Sequence, residues 1–417
     1  MNSLTDDEAE VLNSPAFAEL FEELSRDATP KVSAVQKLRS RFGSAAFAAV
    51  SRIVAARRKA IGKLPKAELL WLDSVRTEQS THRIVAAHKA RRFVGTKIAD
   101  LCCGIGGDTF AMAGVADAIV ALELDPDTIQ RLKHNLGVLG FERLVLPVLG
   151  DAAWPPVPLD WAIHIDPDRR SKDRSGRPVR QIDDYVPCMA ALVRLMKTYR
   201  GGAIKLGPAS DFAMLEKAAR AAGVRTETEI VSLDGECKEA TLWFGQLAGD
   251  QPRRATMLPS GESIQGSVNP PRFSVDPASK SPLWIFEADP ALIRSGLIDR
   301  IATPLGLSAY TTDGAWLAGA EPAESPWLTR FEVVAEIAAD RKIIRAQARR
   351  LGWKSAVVKT RGGEGAERFS SWFDEKPGGT TRETMLVEHR PSGKSKAILA
   401  IRHAGVGMVE QIDQTSP

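Results

Sequence analysis

The spacing of apolar positions changes character twice along the chain. Phe17, Leu20, Phe21 and Leu24 recur on one helical face, behind Ser14 as a cap residue and Pro15 as a first helical position. Helical spacing continues around Val35–Leu38, Ala45–Ala56 and Ile84–Phe93, which predicts a small helical bundle over residues 1–92. From Lys97 the texture becomes strand–helix alternation. Near-continuous apolar runs at Lys97–Leu101, Ala118–Leu122, Leu144–Leu149, Trp161–Ile165 and Gly202–Leu206 are separated by helical stretches. That pattern belongs to a mainly parallel sheet covered on both faces. After Gly223, "TETEIVSL" and "EATLWFGQL" predict a hairpin of antiparallel edge strands, closing an α/β unit over 93–249. Residues 250–282 hold several Pro, Ser and Gly with little periodicity and read as a linker. A second, smaller α/β unit is predicted over 283–410. In it "FEVVAEI" and "SAVVKTRG" are strands and "DRKIIRAQARRLG" is a helix with Gly352 just past its end. "TMLVEHRPSGKSKAILAIRH" is a hairpin turning on PSGK. No internal repeat is seen.

Composition narrows the class without choosing within it. With 44% hydrophobic and 26% charged residues among 417, the chain is long enough for two or three folded domains, and wholesale disorder is excluded. Its 56 basic against 52 acidic residues give a formal charge of +4, which permits an anionic partner without requiring one. Cys102, Cys103, Cys188 and Cys237 show neither a disulfide framework nor metal-ligand spacing, so a cytoplasmic location and no metal are expected. No apolar run of about 18 residues exists, so no membrane span is expected.

The most specific stretch is "IADLCCGIGGDTFAMA", a strand entering a glycine turn and then a helix. A triphosphate loop would need Gly-Lys-Ser/Thr, but Gly107 is followed by Asp108. A dinucleotide fingerprint needs a third glycine where Thr109 stands, and Asp100 and Asp108 would repel a pyrophosphate. The turn therefore suits a ligand that is neutral or cationic where it meets the loop. S-adenosylmethionine fits, since its ammonium, ribose diol and adenine amine all want acceptors. Asp100 ends the first strand, near the ammonium or organising the loop, while Gly104 and Gly106 allow close backbone approach to the methionine portion. Glu123 ends the second strand, placed for the ribose diol, and Asp151 follows the third, placed for the adenine amine. Asp166 follows the fourth.

An acid at each of four consecutive strand ends resembles the class I, Rossmann-like methyltransferase layout, over roughly Lys97 to Leu247. "TEQSTHRIVAAHKARRF", the glycine loop, "LDPDT" and "DPDRR" together resemble a bacterial group of methyltransferases with a C-terminal THUMP-like domain. "SLDGECKEATLW" and "FEVVAEIAADRKIIRAQARRLG" extend that likeness over nearly the whole chain. A more distant resemblance is to the trimethylguanosine synthase family. The resemblance implies S-adenosylmethionine as cofactor, Cys103, Gly107 and Asp108 as further parts of the cofactor loop, and association with RNA. It also implies that Gln79 or Thr81, ahead of the helix leading into the first strand, bonds the methionine carboxylate; the alternative is helix capping by Ser80 or Thr81.

In amine-methylating relatives the fourth strand ends in Asp/Asn-Pro-Pro-aromatic, where this chain reads Asp166-Pro167-Asp168-Arg169-Arg170. Asp166 and Pro167 keep the acceptor half, and Arg169 offers a plane that can stack on a base or a charge that pairs with Asp168. Arg170, Lys172 and Arg174, with Arg177 and Arg180, form a basic loop suited to phosphate backbones. Lys342, Arg345 and Arg349 on the C-terminal helix and Lys359 on the next strand form a second candidate RNA surface. Cys102 and Cys103 read as packing beneath the glycine turn, and His82 and His88 as surface or packing residues. The expected function is S-adenosylmethionine-dependent methylation of structured RNA: ribosomal, transfer or cap-like. A methyltransferase of a small molecule or protein, and a non-catalytic cofactor- or RNA-binding protein, remain open alternatives.

Overall fold

The face of Phe17, Leu20, Phe21 and Leu24 packs as its spacing predicts, in a computed structural model that describes residues 6–27, 31–169, 185–268, 283–311, 315–361, 365–388 and 395–403. The amino-terminal helices are α1 (Asp6–Asn13), α2 (Ala18–Arg26), α3 (Val32–Phe42) and α4 (Ser44–Ala60). Leu20 and Leu24 are buried with Val50, Ile53 and Val54 of α4. Ser14 caps a short 3-10 turn, Pro15–Phe17, by accepting from the Ala16 N–H at 3.3 Å. A short helix α5 (Ser74–Gln79) and then α6 (Arg83–Ala90) lead into the sheet. The cap of α6 is neither Ser80 nor Thr81. His82 Nδ1 accepts from the Ile84 N–H at 3.3 Å, because Ser80 donates back to the Arg76 carbonyl and Thr81 is drawn to an acid elsewhere.

Seven strands of one sheet then follow: β1 (Lys97–Leu101), β2 (Ala118–Glu123), β3 (Val145–Leu149), β4 (Ala162–Ile165), β5 (Gly201–Leu206), β6 (Thr226–Leu233) and β7 (Glu236–Gly245). They lie in the order β3-β2-β1-β4-β5-β7-β6. β1 to β5 are parallel, and β7 runs antiparallel to β5. This is the Rossmann-like class I arrangement that the strand-end acids implied. The crossover helices are α7 (Gly107–Ala113), α8 (Pro126–Leu139), α9 (Met189–Thr198) and α10 (Ala213–Ala221). Between β3 and β4 there is no helix, contrary to the alternation expected. Pro155, Pro156 and Pro158 fall in that connection, where they remove N–H donors and obstruct a helical ladder. Ile98, Ile119, Val145 and Trp243 of the strands are buried with Leu132 and Leu136 of α8.

Residues to Leu233, with 238–252 and 258–261, make up one compact unit; 234–237, 253–257 and residues from Glu262 make up a second. Part of the stretch read as linker is ordered structure. Arg253–Leu258 pairs antiparallel with Glu262–Gly266, and Ala255, Thr256 and Leu258 are buried. Pro259, Ser260 and Gly261, three of the residues that suggested a linker, are the turn of that hairpin. In the second unit the predicted strands and helix are present as Leu328–Ala338, Arg341–Arg350 and Val357–Arg361. Glu383–Glu388 and Lys396–His403 form the predicted antiparallel pair, and the PSGK turn lies outside the described residues. Ile285, Phe331 and Ile398 are buried in one cluster of that sheet, while Ile344, Met385 and Leu399 are buried in another. Among the described residues no helix is long and apolar enough to cross a membrane.

Candidate active site

The glycine loop is built by backbone geometry. Cys102, Gly104 and Gly106 all have positive φ, at 55°, 56° and 103°. A side chain on Gly106 would run into the Phe110 ring and lie 2.9 Å from Leu132 Cδ1, so this glycine is required by space as well as by φ. A Cβ on Gly104 would meet nothing within 4 Å, leaving the top of the loop open to a ligand. A Cβ on Gly107 would lie 3.2 Å from the Ser80 Cβ and 3.2 Å from the Thr81 backbone nitrogen, so the loop packs closely there.

The acids divide into two tiers. Asp100 is fully buried, with Oδ2 accepting from the Thr109 hydroxyl at 2.5 Å and Oδ1 2.7 Å from His164 Nδ1. Of its two readings, these bonds fit the one in which it organises the loop. Thr109, which seemed only a missing glycine, is the hydroxyl that fixes it. Asp108 is also buried, accepting from the Thr81 hydroxyl at 2.6 Å and from Lys89 Nζ at 3.0 Å, with Lys205 Nζ at 3.6 Å. Cys103 is buried, its N–H donating to the Leu122 carbonyl and its carbonyl accepting from the Gly106 N–H. Burial, and then the neighbouring carboxylates, push the Cys102 and Cys103 thiols well above their ordinary value, so they act as packing. Asp100, Cys103, Asp108 and Thr81 are thus each already hydrogen-bonded or packed within the protein around the loop.

The upper tier faces outward. Glu123 is half-buried; its Oε2 accepts from the Gly104 N–H at 3.0 Å and its Oε1 from Leu124 and Asp125 at 2.8 and 3.2 Å. Burial raises its carboxyl above the ordinary range, against the opposing pull of those three N–H groups. Asp151 is exposed after β3 and accepts from the Ala153 N–H at 2.8 Å; Gln79 is exposed at the end of α5. Asp166 continues β4, its N–H donating to the Leu101 carbonyl at 3.1 Å, and its carboxylate is 36% exposed. Pro167 is buried beside it. The backbone of Arg169, with Asp168, pairs with Tyr185–Val186. Arg170, Lys172, Arg174, Arg177 and Arg180 lie outside the described residues.

Lys89, Lys205 and Glu239 had no part in the sequence reading. Together with Asp108 and Asp166 they form one line of alternating charge. Glu239 Oε1 is 2.7 Å from Lys89 Nζ, Lys89 reaches Asp108, and Lys205 joins Asp108 to Asp166 Oδ2 at 2.6 Å. Burial alone would push the Asp108 carboxyl up, but Lys89, Lys205, His164 and Thr81 hold it well below the carboxylate range. Burial alone would lower Lys205, but Asp166, Asp108 and Glu239 hold it above the usual lysine value. Carboxyls outnumber ammoniums in this line by one, and the least buried member is Asp166. A cationic ligand completes that balance, whereas an anionic phosphate would worsen it. The signal in sequence was a lysine inside an otherwise apolar strand, "GGAIKL", and one inside "RIVAAHKA".

Residues 95–168, from the entry to β1 through Asp168, match the family model described as RNA cap guanine-N2 methyltransferase. The chain is 34% identical over 335 residues to an uncharacterized S-adenosylmethionine-dependent methyltransferase of Mycobacterium tuberculosis, in strains CDC 1551 / Oshkosh and ATCC 25618 / H37Rv; the likeness covers 78% of this chain and 88% of the relative. The fold is similar to that of a provisionally assigned methyltransferase from Porphyromonas gingivalis W83. That similarity has a TM-score of 0.68 at 19% identity, over 95% of this chain and 99% of the other. The chain belongs to the S-adenosylmethionine-dependent methyltransferases. It is an enzyme, and its cofactor is S-adenosylmethionine.

Proposed function

We propose that this methyltransferase acts on structured RNA in the cytoplasm and that its second unit is a THUMP-like RNA-binding domain. The observation that carries the reading is the match of residues 95–168 to an RNA cap guanine-N2 methyltransferase family, which spans the glycine loop and ends on Asp166, Pro167 and Asp168. Gly104, Gly106, Glu123, Asp151 and Gln79 would hold the cofactor, which supplies an electrophilic methyl group on a sulfonium. Asp166 and the Pro167 carbonyl would grip the acceptor group, and Arg169 would stack on or pair beside the base.

Charge beside the cleft supports an anionic substrate. Lys63 is half-buried, with Nζ donating to the Thr77 and Glu78 carbonyls at 2.7 and 2.8 Å at the end of α5. Burial first, and then the ammonium of Lys205, lower its titration; Glu78 opposes them and Lys238 adds to them, so Lys63 lies in the field of two other lysines. Arg170, Lys172 and Arg174 would extend it. In the second unit Arg341, Lys342, Arg349 and Arg350 are exposed on one helix and can meet phosphates. Arg345 and Lys359 are already engaged, with Asp374 at 2.9 Å and Glu287 at 2.5 Å, so their part in RNA binding would be shared with those acids.

Transfer of labelled methyl from the cofactor into total RNA of a deletion strain, followed by nuclease digestion, tests the reading. Label should enter nuclease-sensitive material, and the rate at subsaturating RNA should fall roughly tenfold or more between about 50 and 200 mM salt. Label confined to protein or small molecules, or a salt-independent rate, would overturn it.

A further inference from the structure

Lys205 occupies a strand whose other members are Gly201, Gly202, Ala203, Ile204 and Leu206. Withdrawing an ammonium from water into such a strand is costly unless the charge is matched. It is matched twice, at 2.6 Å to Asp166 Oδ2 and 3.6 Å to Asp108 Oδ2. Exposure of the three side chains is graded: 8% for Asp108, 11% for Lys205 and 36% for Asp166. The cation is held inside while the carboxylate it binds reaches solvent at the carboxyl end of β4, beside the glycine loop. Of the two carboxylate oxygens of Asp166, it is Oδ2 that Lys205 engages.

We propose that Lys205 is a positioning residue: it holds Oδ2 of Asp166 and so presents Oδ1 as a hydrogen-bond acceptor to the group being methylated. The inference rests on the reading of Asp166 as the acceptor-gripping acid. A carboxylate held through one oxygen can still accept an N–H or O–H through the other, and so orient the group being methylated. The same ammonium touches Asp108 under the loop, so the gripping acid and the cofactor loop share one fixed point. An asparagine at 166 would turn its only oxygen toward Lys205 and offer the substrate an amide N–H instead. Asp166→Asn should therefore fail with Lys205 present and recover once it is gone.

The test is a mutant cycle on the full chain with Lys205→Met, Lys205→Arg, Asp166→Asn and the Lys205→Met/Asp166→Asn double variant. Three quantities are read: kcat and KM for methyl transfer to RNA, affinity for S-adenosylhomocysteine by calorimetry, and the urea midpoint. Lys205→Met should lose about 30-fold in kcat with KM and calorimetric affinity changed less than about threefold, and Lys205→Arg should recover most of that loss. The double variant should be at least about threefold more active than either single one, and its urea midpoint should lie above both. A Lys205→Met kcat within about threefold of wild type, or losses in the double variant that simply multiply, would overturn the proposal. If wild type transfers no label to RNA, the RNA reading fails by itself. Lys205 is then judged by the urea cycle, where additive midpoints overturn it.

Discussion

Replacing Lys89 with methionine should destabilise the fold by about 3–5 kcal/mol, the cost of leaving buried charge without its partner. Lys89 is 2% exposed and lies between Asp108 at 3.0 Å and Glu239 at 2.7 Å. Methionine fills nearly the same volume, so packing changes little and the loss reports the charge. Lys89→Met combined with Glu239→Gln should recover part of it, because one of the two stranded carboxylates is then gone. The pH dependence has a definite sign. Asp108 titrates below its ordinary value of 3.8, so its contribution is present above that pH and is lost as pH falls. Lys89 titrates above its ordinary value of 10.5 despite burial, drawn up by Asp108 and Glu239, so its contribution is present below that pH and is lost as pH rises. Urea unfolding from about pH 3 to about pH 11 should show both limbs in wild type. Lys89→Met should show a smaller version of each, since Lys205, itself held above the usual lysine value, still faces Asp108. A variant as stable as wild type at neutral pH would show that the line of charges does not hold the loop.

Much of this architecture is legible in the sequence because period and strand-end chemistry agree. Lys97–Leu101, Ala118–Leu122 and Gly202–Leu206 are apolar enough to be buried on both faces, and each parallel strand delivers its last residue to the same rim. Which acids face the ligand is not legible. Asp100 and Glu123 both stand at strand ends, yet the pleat and Thr109 turn the first inward, while backbone N–H groups hold the second at the loop. A linear reading assigns an acid to an edge but not to a tier. Lys89, Lys205 and Glu239 were missed for a related reason. Their meaning depends on pairing across α6, α7, β5 and β7, and sequence separations of that size carry no local signal. His88 belongs with them: it was read as a surface or packing residue, but its Nε2 lies 2.7 Å from buried Glu229. The hairpin at 253–266 was hidden by composition, since counting Pro, Ser and Gly cannot separate a linker from a tight turn.

Glu123→Ala should weaken S-adenosylhomocysteine binding roughly 100-fold, on the order of two hydrogen bonds to a charged group at about 1.5 kcal/mol each. Two losses combine. Gly104, Leu124 and Asp125 lose the acceptor for their N–H groups, so the loop is no longer held at its positive-φ turn. The carboxylate proposed for the ribose diol is also gone. Glu123→Gln separates them, because its one amide oxygen can still serve the backbone on one side; a loss nearer tenfold is expected. Binding should also carry an acid limb in wild type. Burial raises the Glu123 carboxyl above its ordinary 4.5, so the ionised form that accepts these bonds is depleted at a higher pH than for a free glutamate. Affinity should therefore fall as pH drops through that raised value, and Glu123→Gln, with nothing to titrate there, should not show that fall. Calorimetry across that range decides the matter. Equal affinities in wild type, Glu123→Ala and Glu123→Gln would remove Glu123 from the cofactor site and show that binding does not depend on its bonds to the loop.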